Sequence, residues 1–243
     1  MKKTSRIPWT VLLLAAFLLI FMAAMVVYGT IRQDTGSPAS PTPRFSATFN
    51  SSAKFDYFIL ALSWAPDYCA TNGSGDVQEC AIGKKLGFVL HGLWPQSQTG
   101  YPSNCSIEQL PEAVQARYVG LFPSQSLMVY EWEKHGTCSG LAPDPYLALA
   151  QQLKESVAVP QAFIAPQTPF RITASQVRQA FSQTSPPLST ASIEMNCSES
   201  GQYLQEVYLC FGRDGNLTAC GADVHQDTQK SCPASDFLVL NVH

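Results

Sequence analysis

FVLHGLWPQ, residues 88–96, is the stretch that most clearly indicates how this chain folds, because an apolar strand pattern runs directly into His91 and Gly92. A second stretch, YEWEKHGTC at residues 130–138, combines another histidine, His135, with a tryptophan and a glycine in the same way. The two stretches hold two of the four histidines in the chain. We therefore expect the chemistry of the protein at these two stretches.

The N-terminus is predicted to direct export. Residues 9–28 carry no charge, and a helix of 20 residues spans roughly 30 Å, about one hydrocarbon core. The cations Lys2, Lys3 and Arg6 precede this stretch. Two interpretations of residues 1–30 remain open, a cleaved signal peptide and an uncleaved membrane anchor, and both place the rest of the chain outside the cytoplasm.

The exported part divides into a linker and one domain. Residues 31–53 are rich in Pro, Ser and Thr and lack an apolar period, which is typical of a linker or stalk. With 46% hydrophobic residues in 243, the chain has enough apolar side chains for one sizeable core, predicted as a catalytic domain at 54–243.

The exported part is acidic. The whole chain has a formal charge of −3, and removal of the three N-terminal cations leaves −6. Such a surface is a poor general binder of polyanions, so a nucleic acid substrate would have to be held by local cations.

Eight cysteines in an exported chain favour disulfides over metal ligation. They are Cys69, Cys80, Cys105, Cys138, Cys197, Cys210, Cys220 and Cys232. Cys210 and Cys220 lie symmetrically about the turn signal Asp214-Gly215, so a hairpin would bring these two sulfurs together. The other pairings do not follow from spacing alone.

The remaining sequence predicts an α+β fold, an antiparallel central sheet with helices packed on it. Apolar runs predict strands at 56–64, 86–90, 192–196, 203–211, 217–220 and 237–242. Apolar periodicity, an Asp-Pro start and a capping box predict helices at 106–120, 144–157 and 173–181. Helices are thus expected in the middle of the domain and strands at its ends.

The two central stretches are suited to cleavage of RNA without a metal. His91 is expected at the edge of its strand, beside a rigid wall formed by Trp94 that can stack on a base. Glu131, Lys134 and His135 have the i, i+3, i+4 spacing that brings side chains to one face of a helix. One imidazole can take the proton of the ribose 2′-hydroxyl and the other can protonate the leaving 5′-oxygen, while the lysine stabilises the phosphorane.

Other interpretations compete with this one. Glu131, His135 and Cys138 have a spacing compatible with a metal-dependent hydrolase, although Lys134 would repel the cation and seven cysteines would be left to pair. A catalytically silent RNA-binding or surface protein on the same fold is a further alternative. Surface or core positions are the simpler explanation for the other two histidines, and core packing is a simpler explanation for the tryptophans. These residues are His225, His243, Trp64, Trp94 and Trp132.

HGLWP at 91–95 and EWEKHGTC at 131–138 resemble the two active-site segments of the ribonuclease T2 family. FDYFILALSWAPDYC at 55–69 resembles the first strand of the family, so the resemblance covers residues 55–242. It implies the fold of that family, stapled by disulfides. The YE pair at residues 130–131 is similar to the bacterial periplasmic branch, related to ribonuclease I.

The resemblance also implies the roles of individual residues. His91 would be the general acid, His135 the general base, and Glu131 and Lys134 the groups that stabilise the phosphate, while Trp94 would lie in the base pocket. The reaction would be transesterification of RNA to a 2′,3′-cyclic phosphate, followed by slower hydrolysis to a 3′-phosphate, with no metal or cofactor. Family pairing would join Cys69 to Cys80, Cys105 to Cys138 and Cys197 to Cys232, together with the hairpin pair.

Three positions depart from the family pattern. Tyr130 stands where many members carry a third histidine, so a phenol hydroxyl would make that phosphate contact. Gln96 replaces an acidic residue that helps to select purines, which predicts weak base preference. Ser63 stands where a glutamine is common.

The expected partner is single-stranded RNA, met in the periplasm or outside the cell. No obligate protein partner is expected, and the domain is predicted to be a monomer. Residues 9–28 are the possible membrane tether.

Overall fold

The computed structural model describes residues 49, 53–73, 75–184, 188–198, 201–232 and 235–242. These residues all belong to the second of two compact units, Arg44–His243. The predicted export segment at 1–30, its tether at 9–28 and nearly all of the linker at 31–53 therefore lie outside the described residues. Within the described ranges, no helix is long and apolar enough to span a bilayer.

The predicted α+β fold with an antiparallel sheet is confirmed. The strands in the described part of the chain are β1 (Tyr57–Trp64), β2 (Phe88–Gln96), β3 (Phe170–Ile172), β4 (Ile193–Cys197), β5 (Leu204–Gly212) and β6 (Phe237–Val239). The main sheet has the strand order β2-β1-β5-β4, and a separate antiparallel pair joins β3 to β6.

Helices pack on the main sheet and connect its strands. Those within the described ranges are α1 (Ala65–Thr71), α2 (Val77–Cys80), α3 (Glu112–Arg117), α4 (Gln125–Lys134), α5 (Pro143–Ser156), α6 (Ala174–Thr184) and α7 (Ala222–Ser231). The capping box before α6 is present, since Thr173 Oγ1 accepts from the amide of Gln176 at 3.2 Å and Gln176 Oε1 accepts from the amide of Thr173 at 2.9 Å.

The alternation of side chains along β1 separates the core from the functional face. Phe58, Leu60 and Trp64 are fully buried in the main hydrophobic core. Ile59 and its neighbours on the opposite face belong to a smaller apolar cluster that includes Cys210 and is bordered by Trp94 and Tyr208. Because successive side chains of a strand point to opposite faces, one buried strand supports both the core and the floor of a cleft.

Several predicted elements differ from the structure. The helix expected at 106–120 is shortened to Glu112–Arg117 by Pro111, which disfavours helical geometry in the residue before it and lacks an amide proton. Residues 217–220 form no strand and make one isolated bridge, Leu217 to Phe211. The expectation of helices only in the middle is wrong, because α1 follows β1 directly and α7 lies between β5 and β6.

All eight cysteines are paired. The disulfides join Cys69 to Cys80, Cys105 to Cys138, Cys197 to Cys232 and Cys210 to Cys220. These are the three pairs implied by the family resemblance and the one pair argued from the Asp214-Gly215 turn, where Gly215 has a φ of 77°. An oxidised framework of this kind is typical of exported domains.

Candidate active site

His91 reaches the cleft because it is the extra residue of a β-bulge. Leu62 pairs with Leu90 and the preceding residue, Ala61, pairs with Gly92, so three residues of β2 lie opposite two of β1. A bulge locally re-aims side chains and is common beside active sites. The sequence predicted a strand that ends at residue 90, whereas β2 continues through the motif to Gln96. β2 is an edge strand of the sheet.

The second motif lies at the end of α4. Ser124 caps this helix by accepting a hydrogen bond from the amide of Leu127, and His135 is the residue that terminates it. Glu131, Lys134 and His135 all face one cavity, which agrees with their i, i+3, i+4 spacing.

The cavity has a volume of about 350 Å³ and is formed by both motifs together with β4 and α7. The predicted site residues that line it are His91, Trp94, Gln96, Glu131, Lys134 and His135. Tyr130 is instead half exposed and lines a neighbouring cavity of about 360 Å³. His91 borders both cavities, so it stands where they meet.

Trp94 lies beside both histidines. Its ring centroid is 5.1 Å from that of His91 and 5.3 Å from that of His135. Its indole Nε1 donates to Glu131 Oε2 at 2.6 Å. Trp94 is therefore not a simple core residue, because it also holds the carboxylate of the second motif against the first.

This contact requires a glycine at position 92. A Cβ atom added to Gly92 would overlap both Glu131 Oε2 and Trp94 Nε1. The space beside the glycine is thus filled by these two side chains.

The surroundings of His91 favour its charged form. Its Nδ1 is hydrogen-bonded to Glu206, and its Nε2 lies 3.6 Å from Glu131 Oε1. Burial by itself would lower the pKa of His91, but the hydrogen bond and charge of Glu206, together with Glu131, raise this pKa above the ordinary histidine value.

His135 has the opposite environment. Its side chain is 5% exposed, and its Nδ1 has no hydrogen bond partner among the described residues. Burial, the adjacent charge of Lys134 and the charge of His91 lower the pKa of His135 to about 3. The cleft thus pairs one histidine that favours a proton with one that resists it.

The other two charged groups complete the electrostatics of the cavity. Burial raises the pKa of Glu131, although the charges of His91 and Lys134 and the hydrogen bond from Trp94 oppose this effect. A hydrogen bond with Tyr130 raises the pKa of Lys134, and its ammonium lies 5.3 Å from the centre of the Tyr130 ring. Tyr130 therefore contacts the site through Lys134.

Sequence reasoning missed several residues at this site. Tyr101 lines the cavity with its ring 5.9 Å from that of His135, and Asp223 and Asp227 line it from α7. Glu206 was also missed, although one acidic residue in the apolar strand LQEVYLCFG is an available signal. Only the pairing of β5 with β1, which sets Glu206 opposite Ser63, brings that carboxylate to His91.

The alternative metal site loses one of its ligands. Cys138 is bonded to Cys105, so its sulfur is not free to bind a metal beside Glu131 and His135. No group of three or more metal-ligating side chains occurs in the part of the chain that the structure describes.

Comparisons with known proteins agree with this geometry. A sequence profile described as the Ribonuclease T2 family matches residues 55–220. A ribonuclease of Aeromonas hydrophila is 35% identical over 214 residues, which cover 82% of this chain and 94% of that protein. Ribonuclease 1 of Arabidopsis thaliana is 32% identical over 207 residues, which cover 74% of this chain and 86% of that protein.

Solved structures have the same fold. RNase NT, crystallised in complex with 5′-AMP, superposes with a TM-score of 0.56 at 26% identity, covering 76% of this chain and 98% of that one. Ribonuclease MC1 from the seeds of bitter gourd gives a TM-score of 0.54 at 24% identity, covering 68% and 94%, a similarity that concerns the fold alone. With the profile match, the two relatives and the cleft all in agreement, this chain belongs to the ribonuclease T2 family.

Proposed function

We propose that this protein is an endoribonuclease that cleaves single-stranded RNA by transesterification without a metal. The observation that carries the proposal is the pair of histidines in one cavity, with the pKa of His91 raised and that of His135 lowered. Titratable groups whose environments push their pKa values apart are suited to opposite roles in acid–base catalysis.

His135 is the general base and His91 the general acid. Neutral His135 takes the proton of the ribose 2′-hydroxyl, and the 2′-oxygen attacks phosphorus. Protonated His91 gives its proton to the 5′-oxygen as the P–O5′ bond breaks, which leaves a 2′,3′-cyclic phosphate. Hydrolysis of this product to a 3′-phosphate uses the two histidines in exchanged roles.

Lys134 and Glu131 act on the phosphate. The ammonium of Lys134 lies in the cavity and stabilises the negative charge that develops on the phosphorane oxygens. Glu131, held by Trp94 and close to His91, orients the phosphate between the two imidazoles. Tyr130 contributes by fixing Lys134.

Base recognition is expected to be weak. Trp94 and Tyr101 offer aromatic faces on which every base can stack, and Gln96 at the end of β2 presents an amide that can donate or accept. Rates on the four homopolymers that differ by less than tenfold would support this assignment.

The test is cleavage of yeast RNA near pH 6 in EDTA by the oxidised protein, with analysis of the product ends. Fragments that end in 2′,3′-cyclic phosphate are expected. His91→Ala and His135→Ala should each lose most activity, whereas His225→Ala, which removes a histidine outside the cavity, should keep it. Loss of cleavage in EDTA would favour the metal-dependent alternative. Intact RNA in a folded, oxidised sample would favour the silent binding module.

Export belongs to the same proposal. Residues 1–30 direct the chain out of the cytoplasm, and residues 31–53 link this export segment to the catalytic domain. The catalytic domain, residues 54–243, is monomeric and works in the periplasm or outside the cell. Four disulfides support an oxidising compartment, and the similarity to the Aeromonas ribonuclease supports the bacterial branch. The mass of the mature protein from cell fractions distinguishes a cleaved signal from a tether at 9–28, and sedimentation tests the monomer.

A further inference from the structure

Glu206 contacts His91 at Nδ1, whereas Glu131 faces the other ring nitrogen, Nε2. The side chain of Glu206 is 7% exposed and accepts three hydrogen bonds, from His91 Nδ1, from Tyr208 OH at 2.6 Å and from Ser63 Oγ at 3.1 Å. These donors belong to three neighbouring strands, β2, β5 and β1. The carboxylate is therefore held by the sheet itself and not by a mobile loop.

This set of donors keeps Glu206 ionised. Burial alone would raise the pKa of Glu206, but the hydrogen bonds from His91, Tyr208 and Ser63 and the charge of His91 hold it below the usual glutamate value. A buried carboxylate with its oxygens satisfied in this way is an effective fixed negative charge.

A fixed carboxylate at Nδ1 decides which nitrogen of His91 takes part in chemistry. It holds a proton on Nδ1 in both charge states of the ring, so the proton that His91 gains and loses is the one on Nε2. Nε2 is the nitrogen that faces Glu131 at the cavity. The same hydrogen bond fixes the rotation of the ring at the bulge, where the backbone alone would constrain it less.

We propose that Glu206 is a positioning residue that orients His91 and directs its Nε2 proton to the leaving oxygen. This inference rests on the function proposed above. Tyr208 supports it indirectly by fixing the carboxylate, and Ser63 does the same while its Oγ also lies 3.2 Å from His91 Nδ1.

Other charged groups also face His91. Glu131 and Lys134 approach it from α4, Glu79 from α2, and His135 acts on it across the cavity. Glu131 contacts Nε2, whereas Glu206 contacts Nδ1, so the two carboxylates are separable by experiment. A change at Glu206 therefore alters the Nδ1 side of the ring and leaves the Glu131 contact at Nε2 in place.

The test compares two substrates in Glu206→Gln, a change that keeps the shape of the side chain and removes its charge. On a dinucleotide, whose 5′-oxygen must be protonated, kcat is expected to fall roughly 10- to 100-fold with KM nearly unchanged. On uridine 3′-(4-nitrophenyl phosphate), whose leaving group departs without a proton, the loss should be less than about threefold. Histidine NMR titration should give a lower pKa for His91 in the variant.

Glu194→Gln is the matched control. Glu194 is equally buried and pairs with a histidine, His225, and with Arg178, but it does not contact His91. It should leave the kcat ratio of the two substrates and the His91 titration unchanged. If Glu206→Gln does not fold, Tyr208→Phe keeps the ring and removes one of the donors to Glu206, and it should give a smaller change in the same direction.

Equal losses on both substrates, or a His91 titration identical to that of the parent, would overturn the positioning role and leave Glu206 as a structural residue. Failure of the proposed function looks different, because the parent protein would then leave both substrates intact. The NMR titration decides the coupling of Glu206 to His91 in that case too, since it does not require activity.

Discussion

Gly92→Ala is expected to disrupt the junction between the two motifs. The new Cβ would overlap Trp94 Nε1 and Glu131 Oε2, and Glu131 is 1% exposed, so we expect the pair to separate. Separation of this pair loses a hydrogen bond to a charged group, about 1.5–3 kcal/mol, and overpacking costs a further 1–3 kcal/mol or so.

The sum, about 2.5–6 kcal/mol, is a large part of the free energy of unfolding of a typical domain. At about 2–4 °C per kcal/mol for a domain of this size, it corresponds to a fall in Tm of about 5–25 °C. Displacement of Glu131 and Trp94 by about 1 Å should also lower kcat/KM roughly 100-fold. The assays are thermal unfolding by circular dichroism and cleavage of a dinucleotide.

Gly87→Ala is the control, because a Cβ at that position meets nothing closer than the Trp64 ring at 3.3 Å. It should change the Tm by no more than a few degrees and leave kcat/KM nearly unchanged. A Gly92→Ala protein with the stability and activity of the parent would refute the argument that this close approach holds the site together.

Three further predictions concern the two histidines, Asp67 and one disulfide. The proposed mechanism uses neutral His135 and protonated His91, so kcat/KM should stay level from about pH 4 to the ordinary histidine range and fall as pH rises through the raised pKa of His91. An acid limb near pH 6 would contradict this. Burial raises the pKa of Asp67 to about 6, above its unfolded value, so this carboxyl destabilises the fold as pH rises from about 4 through 6. Asp67→Asn should therefore gain roughly 3 kcal/mol in urea unfolding at pH 8 and nothing at pH 3. Removal of the disulfide between Cys105 and Cys138, which are 33 residues apart, should lower the free energy of unfolding by about 4 kcal/mol. It should also lower activity, because Cys138 follows His135 by one turn. An unchanged midpoint of unfolding in urea would argue against this.

Some elements of the fold were predictable from local sequence, although α4 and α7, which line the cavity, were not among the predicted helices. Strand β1 is a run of apolar residues, the spacing of Glu131, Lys134 and His135 defines one helical face, and the Thr173 capping box marks the start of α6. These features depend on neighbours within four residues along the chain, where the periodicity of strands and helices applies directly. The predicted helix at 106–120 was wrong because Pro111 disfavours helical geometry in the residue before it, so the helix begins only at Glu112.

The sequence by itself determined the family, the α+β class, the identity of the two histidines and the turn that closes one disulfide, because each is written in contiguous residues. Tertiary structure alone decided that His91 occupies a bulge, that Trp94 holds Glu131, and that Glu206 reaches His91. The contact between Trp94 and Glu131 joins residues 37 positions apart, and the contact between His91 and Glu206 joins residues 115 positions apart. Both exist only once the strand register is set. The opposite pKa shifts of the two histidines have the same origin, since burial and the placement of neighbouring charges are properties of the folded cleft.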